Sequence, residues 1–95
     1  MRIHYTRRAF ADREAIFDYL AERSPKGALS VQRAILKSIR ALEAHPGLGR
    51  LTDFADVREL VVPRYPYKVY YRIEGREVWI LHIRDTRRQP WPTPA

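Results

Sequence analysis

Hydrophobic positions recur along this chain at two different periods, and the period changes twice. Arg2-Ile3-His4-Tyr5 alternates and is rich in β-formers, which predicts a short first strand. From Arg7 to about Arg23 the spacing becomes helical: Phe10, Ile16, Phe17 and Leu20 mark one side, and Arg13, Glu14, Asp18 and Glu22 fill the other. Thr6 stands just before this segment, where a hydroxyl can accept from the unpaired first-turn N–H groups. Ser24-Pro25 opens a second helix, since serine caps and the fixed φ of proline suits the first turn. Ala28, Val31, Ile35, Ile39 and Leu42 then step by three or four residues, the cleanest stripe in the sequence. Pro46 ends it by disfavouring helical backbone at His45.

Residues 47–56 carry no period and read as a loop. Beyond them the alternation returns. Val57 to Val62 forms a strand that Pro63 stops, Tyr67 to Ile73 a second, and Val78 to about Arg84 a third. Glu74-Gly75-Arg76-Glu77 is a hairpin turn, because Gly75 is free to take positive φ. The predicted class is α+β: an N-terminal strand, a two-helix hairpin, then a three-stranded antiparallel meander. One domain spans 1–95, with 86–95 as an extended tail. The first strand is too short to stand alone and should join the later sheet, with the helices packed on one face.

Alternation also assigns faces. Tyr67, Val69, Tyr71 and Ile73 share one side of the middle strand, and Trp79, Leu81 and Ile83 form the more apolar set of the last. These are expected to face the helices. The other side then carries Lys68, Tyr70, Arg72, His82 and Arg84, with Val78 and Ile80 at its start and Arg87 and Arg88 just beyond. Such a face is either a site for a phosphate backbone and a stacked base, or an ordinary solvated sheet surface.

Composition sharpens the question of partners. The 95 residues hold 18 lysines and arginines against 11 aspartates and glutamates, a formal charge of +7, with arginine far in excess. A domain this basic usually meets polyanions or acidic proteins, although a GC-rich genome also favours arginine. There is no cysteine, so disulfides and thiolate metal sites are excluded. No apolar run approaches a membrane span, and no signal peptide is evident, so a cytoplasmic location without membrane partners is expected.

The catalytic inventory is sparse. His4, His45 and His82 lack ligand spacing and no carboxylate cluster suits a two-metal nuclease, so no metal or cofactor is expected. No glycine-rich phosphate loop follows a strand. Metal-free RNA cleavage would need cations for the developing phosphorane charge and a base and an acid for the two oxygens. Lys68, Arg72, Arg84 and Arg87 supply cations, and His82 titrates in the right range. A lone strand histidine is more often structural. Trp91, between Pro90 and Pro92, is either an anchor for a partner or a residue tucked against its own sheet.

Taken in order, Val57-Arg58-Glu59-Leu60-Val61-Val62, Tyr67-Lys68-Val69-Tyr70-Tyr71-Arg72-Ile73, Val78-Trp79-Ile80-Leu81-His82-Ile83 and Arg87-Arg88 resemble the RelE/ParE plasmid-stabilisation toxins. The helix hairpin and Pro46-Gly47-Leu48-Gly49-Arg50 extend the resemblance over nearly the whole chain. It implies a growth-inhibiting toxin of a type II toxin–antitoxin system, neutralised by a cognate antitoxin with an acidic segment. The family divides by target. ParE-like members inhibit DNA gyrase, and RelE-like members cut messenger RNA on the ribosome. Position by position, Lys68 and Arg87 match ribonuclease arginines. The C-terminal tyrosine of many RelE ribonucleases has no counterpart, since no tyrosine follows Tyr71, and Asp85 stands where histidine is frequent. The resemblance therefore leans to gyrase inhibition, with a ribosome-dependent RNase and a non-toxic RNA-binding or structural domain as the alternatives. Candidate residues for the target or the antitoxin are Arg58, Arg64, Lys68, Tyr70, Arg72, Arg84, Arg87, Arg88 and Trp91. If the protein is an RNase, Lys68, His82 and Arg87 are the catalytic candidates.

Overall fold

The computed structural model describes residues 1–87. Its elements are β1 (Arg2–Tyr5), α1 (Arg7–Ala21), α2 (Pro25–Ala44), β2 (Arg50–Leu51), β3 (Val57–Val61), β4 (Tyr67–Glu74) and β5 (Glu77–Asp85). They build one five-stranded sheet in the order β1-β5-β4-β3-β2, with β1 parallel to β5 and the other pairs antiparallel. The α+β class and the meander of β3, β4 and β5 agree with the sequence pattern. The fifth strand, β2, lies inside the segment read as loop. Two residues are too few to show a period, and the strand exists because Arg50 and Leu51 pair with Glu59 and Arg58.

Both helices start where the caps predict. The Thr6 hydroxyl accepts from the Ala9 amide at 3.1 Å, and the Ser24 hydroxyl accepts from Gly27 at 3.0 Å. All five stripe residues of α2, Ala28, Val31, Ile35, Ile39 and Leu42, are buried. They pack on Leu60, Val62, Tyr67, Val69, Tyr71, Val78, Ile80 and Ile83 from one face of the sheet. α1 keeps Ile16 and Leu20 of its expected stripe against the core but departs from it at Phe10. Ala9 is its fully buried residue, while Phe10 is 48% exposed beneath the Arg13 guanidinium. A small side chain lets the helix approach the sheet closely at that point.

The faces of β5 also depart from strict alternation. Tyr70 pairs with His82 but Tyr71 pairs with Ile80, so Leu81 is an extra residue in a β-bulge. The bulge shifts the phase within the strand. Val78 and Ile80 join Ile83 in the core, whereas Trp79 turns to the opposite face and stacks on His4, with ring centroids 4.7 Å apart. The expected placement of Trp79 against the helices, and of Val78 and Ile80 away from them, is thus reversed. His82 and Arg84 keep their expected side, on the face of Tyr70 and Lys68.

The 46–50 segment is fixed by β4 and β3. The buried Tyr71 hydroxyl donates to Pro46 O at 2.7 Å and accepts from the Gly49 amide at 2.8 Å. Arg58 Nη1 donates to Gly49 O at 2.7 Å. Glycine at 49 is a matter of space: a Cβ would lie 2.7 Å from the Tyr71 ring and 2.8 Å from Glu59 O. Among the described residues no helix is long and apolar enough to cross a membrane.

Candidate functional site: the sheet face opposite the helices

Opposite the helices, β2, β3, β4 and β5 bring together Arg50, Glu59, Lys68, Tyr70, Arg72, His82 and Arg84. Register does this. Glu59, Tyr70 and His82 form one row across three strands, and Val61, Lys68 and Arg84 form the next. A row of this kind places neighbouring Cβ atoms about 5 Å apart.

The face is cationic in composition yet largely self-neutralised. Glu59 Oε1 receives Arg50 Nε at 3.0 Å and Lys68 Nζ at 3.4 Å. Burial alone would raise the Glu59 pKa, but the Arg50 hydrogen bond and the nearby Lys68 charge outweigh it and hold the carboxyl below its ordinary value. Arg72 Nε lies 3.2 Å from Glu74 Oε1, although its N–H does not point at that oxygen. His82 is 6% exposed, and its Nδ1 sits 2.5 Å from Asp12 Oδ2 on α1. The same oxygen accepts the Ile83 amide at 3.1 Å, on the edge of β5 beyond the reach of β1. Tyr70 is buried and its ring lies nearly parallel to His82 at 5.9 Å. Burial keeps its phenol above the usual value against the lowering effect of Arg84, so it is a donor here rather than a base.

Arg84 differs from its neighbours. Its Nε and Nη1 are buried without a hydrogen-bond partner, and no carboxylate among the described residues pairs with it.

The remaining candidates lie elsewhere. Arg58 is spent on the 46–50 segment. Arg64 is exposed in the β3–β4 loop at a φ of 72°. Arg87 grips Asp85, with Nη2 2.7 Å from Oδ2. Asp85 pairs with Tyr67, on the helix side of the sheet, so the Arg87 guanidinium is turned from the row that holds Lys68. Lys68, His82 and Arg87 therefore do not converge. Arg88, Trp91 and most of the predicted tail lie outside the described residues. No three histidine or acidic side chains converge as metal ligands among the described residues.

Sequence reasoning did not single out Glu59 or Asp12. Glu59 was legible in part, since alternation sets it opposite Leu60, but only the register shows that it meets Lys68 and Arg50. Nothing local marks Asp12, whose partner lies 70 residues away.

A second concave surface, a groove of about 580 Å³, runs between α2 and the outer edge of β3. Ala34, Leu48, Leu60 and Val61 line it, and Lys37 and Arg64 edge it.

The family model described as the ParE toxin of the type II toxin-antitoxin system, parDE, matches residues 3–90. Y4kP of Sinorhizobium fredii, named provisionally as a toxin, is 35% identical over 91 residues, which is 96% of this chain and 93% of that protein. Toxin RelE2 of Caulobacter vibrioides is 36% identical over 87 residues, 92% of this chain and 97% of the relative. A solved structure described as the chromosomal ParDE TA system from P. aeruginosa superposes with a TM-score of 0.79 at 34% identity, over 90% of this chain and 95% of that one. With its whole ordered set of elements matched in this way, the chain belongs to the ParE toxin family of type II toxin–antitoxin systems.

Proposed function

We propose that this toxin stops growth by binding DNA gyrase, as a protein ligand, rather than by cutting RNA. The observation that carries the reading is the state of the candidate catalytic residues. Lys68 is engaged by Glu59, His82 by Asp12 and Arg87 by Asp85, and the three are not aimed at one point. A phosphoryl-transfer centre needs its base, acid and cations around one reacting phosphate. A stacking platform needs a presented ring, and Tyr70 is 4% exposed. What remains is a balanced polar face, which resembles a protein–protein surface more than a groove for a polyphosphate backbone.

The partner follows from charge. The chain carries +7, and the groove beside α2 combines an apolar floor with cationic edges. Both support a cognate antitoxin whose toxin-binding segment is acidic with an apolar face.

Induction of the gene alone tests the target. Arrested growth with altered plasmid topology and intact transcripts is the expected result, and Lys68→Ala should change potency only in a graded way. Cleavage within translated codons, lost by orders of magnitude in Arg87→Ala, would overturn the reading in favour of the RNase.

A further inference from the structure

Four cations form one line along the outside of α2. Lys26, Arg33, Lys37 and Arg40 are all exposed. At 3.6 residues per turn they fall within roughly 60° of the helix circumference, almost diametrically opposite the buried stripe. They make the crest of the helix, a row roughly 21 Å long at the helical rise. Among the described residues one carboxylate reaches it: Glu43 Oε1 lies 3.8 Å from Arg40 Nε, with the two side chains 51% and 82% exposed. Lys26, Arg33 and Lys37 are in no ion pair among the described residues.

Helix stability does not call for this arrangement. A solvated helix gains from mixed signs one turn apart, with acids in the first turn and bases in the last. α2 has no acid in its first turn and no base in its last, and Lys26 stands near the start. Arg33, Lys37 and Arg40 place like charges over one another on successive turns.

The surroundings of the row indicate its occupant. Ser30 and Ala44 complete the crest, so it holds no apolar side chain larger than alanine. A protein segment draws most of its affinity from buried anchors. A nucleic-acid backbone needs charge alone, because binding releases its condensed counterions. The flanks of α2 differ in sign. Glu14 and Asp18 share a cleft with Gln32 on the α1 side, and Arg64 edges the groove with Lys37 on the other. The favourable field is thus a straight band bounded by acids. A duplex strand presents a phosphate about every 3.4 Å of axis, or about six along such a row. A single strand would want exposed rings to stack on, and the crest has none.

We infer that the crest of α2 is a sequence-independent docking surface for the phosphate backbone of duplex DNA, with Arg33 and Lys37 at its centre. The inference goes beyond the proposed target and does not depend on it.

Fluorescence anisotropy of a labelled mixed-sequence duplex of about 24 base pairs, titrated with the full chain from about 50 to about 200 mM salt, tests this. Wild type should bind at roughly 10⁻⁴ to 10⁻⁶ M, with log affinity falling against log salt at a slope of about −3.6, the value for four phosphates neutralised. Arg33→Gln/Lys37→Gln changes exposed helix positions to a good helix former, so folding is kept. It should bind about tenfold more weakly, with the slope cut to about −1.8. Arg2→Gln/Arg76→Gln removes the same charge from exposed positions beside the β4–β5 turn and should leave the slope unchanged. Equal losses in the two variants would reduce the effect to overall charge and overturn the inference, as would no binding by wild type. Polyglutamate that displaces the duplex as well as unlabelled duplex does, at matched charge, makes the crest a protein site instead. Tighter binding of single-stranded oligothymidylate than of duplex also contradicts it. A chain that binds duplex in this way yet fails to inhibit gyrase loses the proposed target and keeps this surface.

Discussion

Tyr71 illustrates how one polar atom on a buried ring sets a loop. Its hydroxyl is both donor to Pro46 O and acceptor from Gly49 N, so Tyr71→Phe leaves two groups unpaired at once. The expected cost is about 1–3 kcal/mol, read as a lower urea midpoint with the slope unchanged. Glu59 makes the matching case for charge. Its folded pKa lies below the ordinary 4.5, so its contribution is fully present above that value. The contribution is lost as pH falls through the folded pKa. Wild-type stability should therefore drop below about pH 4.5 more steeply than that of Glu59→Gln, measured by urea unfolding across the acid range. These two residues differ in how visible they are in sequence. Tyr71 stands out as a tyrosine in the apolar phase of a strand. Glu59 does not, because its meaning depends on a register that the sequence leaves open.

α2 and β5 mark the limits of what periodicity reveals about elements. α2 is legible to the residue: its stripe is uninterrupted, its cap is local, and each buried position repeats at the helical spacing. β5 misleads because Leu81 is an extra residue, and a bulge reverses phase without any marker in composition. Strict alternation puts Trp79 on the wrong side for that reason, and β2 carries no period because pairing alone defines it. The bulge itself is testable. Deleting Leu81 leaves Val78, Ile80 and Ile83 at alternate positions on the core face without a bulge, so the shortened chain should keep a cooperative thermal transition, whereas loss of cooperativity would contradict this account of the strand. Asp12 supplies the other inter-element bond that no pattern shows. It joins α1 to the free edge of β5 through His82 and the Ile83 amide. Asp12→Ala should cost about 1–3 kcal/mol in urea unfolding, with Asp12→Asn milder because an acceptor remains.

At the scale of the molecule, the two helices pack on one face of the sheet, and the other carries charged side chains around the buried Tyr70 and His82. The +7 charge is not spread evenly over that face. Glu59 and Glu74 answer most of its cations, and Arg84 is left over. The excess positive charge lies mainly on other surfaces, which include the edges of the groove beside α2. Family membership and fold were readable from the ordered strands and hairpin. The balance of the face was not, because each pair in it joins residues from different elements.

The central claim is that this toxin acts by engaging a protein. Purified wild-type chain added to DNA gyrase, ATP and relaxed plasmid tests it most directly, with supercoiling followed on a gel over a range of toxin concentrations. The account predicts dose-dependent loss of supercoiling that an acidic antitoxin segment reverses. Undiminished supercoiling at saturating toxin, alongside cleavage of messenger RNA in a reconstituted translation mixture, would contradict it.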